Sequence, residues 1–141
     1  MSLRLCFGVI DGDHGNVTTF QLAEILEGKY ALFSQFVELN FDLIQDALAE
    51  DVQNQIHALM NGQAKQTPYM QASQKVETAF RAWLDAEGIV QSGVPGVPTQ
   101  AALDGRNSRL KGRKGPRRPS FEDTKILRRS LRVWIDGGAT A

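Results

Sequence analysis

Apolar residues fall at Phe33, Val37, Ile44, Leu48, Val52, Ile56 and Leu59, mostly four positions apart, with Phe36, Leu43 and Met60 thickening the stripe. That spacing collects side chains on one side of an α-helix, and a helix patterned this way must bury that side. One long amphipathic helix over 33–60 is therefore predicted, ended by Asn61-Gly62, with a core around its apolar side. Its polar face carries Glu38, Asp42, Asp46, Glu50 and Asp51. The expected role of that face is a solvated back, the alternative being contact with a basic partner.

Shorter elements flank it. Leu3, Leu5, Phe7 and Val9 alternate with Arg4, Cys6 and Gly8, the period of a half-buried strand. Thr18 or Thr19 can cap a helix running from Phe20 to a stop at Gly28. Pro68 suits the first turn of a further helix, whose stripe is Val76, Phe80, Trp83 and Leu84 before Gly88. The two prolines of VPGVPT impose an extended excursion, after which Thr99 can cap a single turn before Gly105. Ser120 or Thr124 can start a short helix through Ile126, Leu127 and Arg128. Beyond Ser130 the period becomes two: Leu131, Val133 and Ile135 face one way, Arg132 and Trp134 the other, as in a closing strand. Phe80, Trp83 and Trp134 are the expected aromatic anchors.

The expected class is α+β: a helical N-terminal half with a long amphipathic helix, a small antiparallel β-sheet including the N-terminal and C-terminal strands, and a long basic loop. A chain of 141 residues is of single-domain length, able to bury roughly 68% of its unfolded surface. Within 1–141 the pattern marks an acidic, mainly helical body (1–103), a basic loop (104–119) and a helix-strand closing unit (120–136).

No apolar run approaches the ~20 residues of a membrane span, and MSLRLCFGVIDG lacks the longer core and small-residue cleavage site of a secretory signal. Export and membrane contact are not expected. Cys6 is the single cysteine, so no intramolecular disulfide or thiolate cluster is available. Asp11, Asp13 and His14 share a turn but lack the remaining ligands of a calcium loop. Neither His14 nor His57 stands at a recognisable spacing from a nucleophile, and no glycine pattern matches a phosphate-binding fingerprint. No catalytic, metal or cofactor-binding residue is predicted.

Charge is more informative. The formal net charge of zero divides into −7 up to Leu103 (12 acidic, 5 basic) and +7 from Asp104 onward (4 acidic, 11 basic). Such polarity suits contact with nucleic acid or head-to-tail complementarity between copies. The run DGRNSRLKGRKGPRRP, residues 104–119, supplies Arg106, Arg109, Lys111, Arg113, Lys114, Arg117 and Arg118 as candidate contacts to DNA or a partner protein. Cations of this kind bind phosphates without reading sequence, and the run has no interleaved aromatic on which single-stranded bases would stack.

The run leads into SFEDTKILRRSLRVWID, and there the chain resembles head-tail connector or neck proteins of tailed bacteriophages, also described as tail-completion or virion-morphogenesis proteins. Those proteins commonly carry a basic, proline-containing stretch, then D-T-G, an apolar residue, R-R-S and a strand. Here the matching residues are Asp123, Thr124, Lys125, Leu127, Arg128, Arg129, Ser130, Leu131, Val133, Trp134 and Ile135, with Lys125 where the pattern has glycine. The likeness is concentrated in 88–136 and includes VPGVPT.

It implies a small α+β subunit that forms a homo-oligomeric ring at the portal-tail junction of a virion. Portal, adaptor and tail proteins would be its partners, packaged double-stranded DNA would pass through its channel, and the host cytoplasm would be its place of assembly. Glu38, Asp42 and Asp46 would meet Arg128, Arg129 and Arg132 across the subunit interface. Other readings are a tail terminator ring, a small DNA-binding accessory protein without sequence preference, and an enzyme whose site is assembled from distant residues.

Overall fold

The computed structural model describes residues 4–10, 18–63, 69–105, 113–117, 120 and 126–136. In chain order these form β1 (Arg4–Val9), α1 (Thr19–Tyr30), α2 (Leu32–Leu39), α3 (Phe41–Met60), α4 (Met70–Asp85), a 3-10 turn (Gly88–Ser92), α5 (Gln100–Leu103), α6 (Ile126–Ser130) and β2 (Leu131–Asp136). The protein is α+β. It is mostly helical, with one antiparallel pair in which Arg4 lies opposite Asp136 and Val9 opposite Leu131.

Local chemistry sets the element ends, and it moves two of the expected ones. Thr18 starts α1 through a capping box: its hydroxyl accepts the Gln21 N–H at 3.2 Å, and the Gln21 side-chain oxygen accepts the Thr18 N–H at 2.9 Å. The stop expected at Gly28 is not used. α1 continues to Tyr30, which is buried, and turns only at Ala31 in the left-handed region (φ 51°).

The single helix expected over 33–60 is two helices. Asn40 (φ −117°, ψ 24°) breaks it, its own N–H and its side-chain amide both donating to the Phe36 carbonyl at 3.0 Å. An asparagine side chain that binds nearby backbone in this way competes with helix continuation. The spacing of four hides the break, because apolar residues resume in phase on α3.

The core is built on aromatic rings from three elements. Phe80 of α4 is fully buried, packs edge-on against Phe36 of α2 at 4.6 Å between ring centroids, and stacks on Phe33 at 5.4 Å. Phe7 of β1 and Trp83 of α4 close on the same rings. Leu131 and Val133 of β2 are buried beside them, as the alternation predicts. Trp134 is not a core anchor. It is 48% exposed on the outer face of the sheet and lies across Gly8, where an added Cβ would stand 2.7 Å from the indole. Period two fixes this outcome, since neighbours of buried Val133 must face outward.

α4 also closes the open edge of β2. The Val133 N–H donates to Glu77 Oε2 at 3.1 Å, and Arg81 Nη2 donates to the Leu131 carbonyl at 3.0 Å. Glu77 and Arg81 are joined by an ion pair of 2.6 Å. These side chains take the place of a third strand along this stretch of the β2 edge.

The excursion after the 3-10 turn contains a cis peptide at Val97-Pro98, and Thr99 caps α5 by accepting the Ala102 N–H at 3.2 Å. Ser120 does not cap α6. Its hydroxyl is buried and accepts the Thr99 N–H at 3.1 Å, tying the closing unit to the start of α5. The alternative cap, Thr124, and the helix start at Pro68 lie outside the described residues.

Candidate functional site

Geometry separates the charged residues into those that hold the fold and those that face outward alone. Asp51, expected on the polar face of the long helix, is only 2% exposed. Its carboxylate accepts the Ala72 N–H at 2.8 Å and so caps α4, whose own N-cap residue, Tyr69 (φ 62°), provides no side-chain cap. Glu27 serves α2 in the same way, accepting the Phe33 N–H at 2.8 Å and binding Ser34. A carboxylate at such an end satisfies an orphan donor and the positive pole of the helix together.

Three other anions hold the closing unit. Asp85 takes Arg128 through two bonds of 2.8 Å, Glu77 lies 3.9 Å from Arg132, and Glu87 takes Arg117 at 2.7 Å and the Ser120 N–H at 3.3 Å. Arg132 further donates to the Arg129 and Leu131 carbonyls. Of the cations expected at a subunit interface, Arg128 and Arg132 thus have partners within their own chain, and the Arg129 side chain is exposed and without one among the described residues.

Glu38, Asp42 and Asp46, the acidic counterparts, are all exposed and make no hydrogen bond or ion pair among the described residues. Asp42 and Asp46 lie on α3 and Glu38 near the end of α2.

The basic run is closed at its base. Gly105 (φ 64°) lies so near the backbone of Gly115 and Pro116 that an added Cβ would meet their carbonyl oxygens at 2.1–2.2 Å. The Gly115 N–H donates to the Asp104 carbonyl at 3.0 Å, and Lys114 Nζ lies 3.9 Å from the Asp104 carboxylate. Only glycine allows this close passage of two backbone segments at a positive φ. Arg113 is exposed and unpaired among the described residues, Lys114 is loosely paired, and Arg117 is held by Glu87. Arg106, Arg109, Lys111 and Arg118 lie outside the described residues, as do Asp11, Asp13 and His14.

Between α3 and α4 runs an open groove of about 1040 Å³, floored by Ala47, Ala79 and Ala82 and rimmed by Asp46, Glu50 and Lys75. Glu50 and Lys75 pair across it. Among the described residues no cluster of three or more histidine, cysteine or carboxylate side chains could hold a metal ion. The Cys6 thiol is half-buried in β1 and turned to the Arg4 carbonyl at 3.8 Å.

Sequence reasoning missed the caps Glu27 and Asp51 and the bracket formed by Glu77 and Arg81. The four-residue spacing of the last pair was the only signal available for it. Among the described residues no helix is long and apolar enough to cross a membrane. No family model matches the chain, and no curated protein or solved structure matches it either.

Proposed function

We propose that the chain is a structural assembly subunit, one that acts by binding copies of itself and neighbouring proteins rather than by turnover. More particularly, it is a neck protein of a tailed bacteriophage, forming a ring around the DNA channel between portal and tail and located in the virion.

The observation that carries this reading is the separation of unpaired charge. Glu38, Asp42 and Asp46 on α2 and α3 are exposed and have no partner among the described residues, and the same holds for Arg113 and Arg129 in the basic last third. A subunit with unmatched surfaces of opposite sign suits the head-to-tail contact from which rings close. The likeness of 88–136 to neck proteins supports the same reading, through Arg128, Arg129 and Ser130 leading into β2. Under it, the segment based at Gly105 and Gly115 carries cations to the channel or to the next ring, while Glu87 and Thr99 hold its far end at Arg117 and Ser120.

Electron microscopy of particles assembled without the protein tests this reading. Filled heads and free tails that fail to join are expected. Particles that join normally would remove it.

A further inference from the structure

α3 carries an apolar flank that the core does not use. Ile44, Ala47 and Asp51 are buried, whereas Phe41, Val52, Ile56 and Leu59 are 59, 36, 51 and 66% exposed. At 3.6 residues per turn, positions 41, 52 and 59 fall within about 20° of one another, roughly a quarter turn from the buried side, and 56 borders them; Leu48, on the same line, packs against the core and backs the stripe. Large apolar side chains aligned in one exposed stripe mark a contact surface, unlike the same residues scattered singly.

The surroundings of the stripe identify its occupant. Asp42 follows Ile56 on the side away from the core, and Asp46 stands beyond it on the rim of the α3–α4 groove; both are exposed and make no ion pair among the described residues, and α3 contains no lysine or arginine. A matching surface has to combine apolar area with free cations, and this chain displays such cations at Arg113 and Arg129. We propose that the stripe of α3 is the seam against a second copy of the chain, which brings Arg113 and Arg129 to Asp42 and Asp46. The two sides of this contact are different surfaces, so each subunit uses both and the chain of contacts can close into a ring. The inference rests on the ring reading for its head-to-tail arrangement. It replaces a seam made of charge alone with an apolar one flanked by charge, in which burial supplies the affinity and charge the register.

Sedimentation velocity on the purified chain, up to about 100 µM to reach a micromolar contact, tests it. The wild type should associate with rising concentration. Ile56→Asp with Leu59→Asp should leave monomers with an unchanged far-UV spectrum, because both residues are exposed. Reversing charge at Asp42 and Asp46 to Lys, or at Arg113 and Arg129 to Glu, should each weaken association about tenfold, and the four together should restore it.

A wild type that stays monomeric throughout overturns the proposal. So does association that ignores the aspartates at 56 and 59, or charge reversals that are not rescued in combination. Heads and tails that join without the protein would remove the neck reading and leave the charge-swap result standing. Separated heads and tails with no rescue would remove the seam alone.

Discussion

Asp51→Ala should be among the most damaging single substitutions on α3, although the residue reads as part of a solvated acidic face. Asp51 is 2% exposed and Ala72, whose N–H it accepts at 2.8 Å, is fully buried. Truncation leaves that amide without its acceptor in a place from which water is excluded. A hydrogen bond to a charged group contributes about 1.5–3 kcal/mol, and a carboxylate at a partly buried helix end adds up to ~2 kcal/mol through the dipole. These terms overlap, so the expected loss is about 2–4 kcal/mol, larger than the ~1 kcal/mol typical of an exposed cap.

Urea titration followed by circular dichroism measures it. With a slope of about 2 kcal/mol per molar, the midpoint should fall by roughly 1–2 M without a change of slope. Asp51→Asn keeps an acceptor oxygen and loses the charge, so its midpoint should lie between the other two. An Asp51→Ala midpoint within about 0.25 M of the wild type, corresponding to ~0.5 kcal/mol, would refute the claim that α4 is held at its start from α3.

Phe80→Ala should cost about 3–5 kcal/mol, as for a buried aromatic, and Trp134→Ala clearly less because its ring is 48% exposed; equal losses in thermal unfolding would contradict the placement of β2. Gly105→Ala forces a side chain into the left-handed region at a cost of about 1–2 kcal/mol and pushes against the Gly115 and Pro116 carbonyls. Limited proteolysis within 104–119 should accelerate, and an unchanged cleavage rate would rule out the closed base. Glu77→Ala removes the acceptor of the Val133 N–H and the partner of Arg81. Amide exchange at Val133 should rise by at least about tenfold, the equivalent of ~1.4 kcal/mol, and protection at the wild-type level would show that the β2 edge does not depend on α4.

How much of this could be read in advance differs from residue to residue. Thr18 with Gln21, Thr99 with Ala102, and the alternation of Leu131, Val133 and Trp134 are relations within four residues of sequence, set by backbone hydrogen bonding and side-chain period, and they were open to inspection. The α+β class followed from them, as did the pairing of the terminal strands. Asn40 escaped notice because the apolar positions keep their phase across the break, so periodicity reads α2 and α3 as one helix. The stop at Gly28 was misplaced because a permissive residue allows a helix end without requiring one, and the burial of Tyr30 carries α1 further.

Charge shows the division most clearly. Composition along the chain already established an acidic body and a basic last third. It did not reveal which charges were engaged, because Glu27, Asp51, Glu77 and Glu87 are indistinguishable in type from Glu38, Asp42 and Asp46. Asp51 reaches an amide 21 residues away and Glu77 one 56 residues away, and only the packing of helix on helix and helix on strand brings those groups within 3 Å or so. The same packing left one flank of α3 outside the core. Short-range stereochemistry therefore wrote the elements into the sequence, whereas the assignment of each charge and apolar face to core or surface waited on the tertiary structure, where distances between remote residues are set.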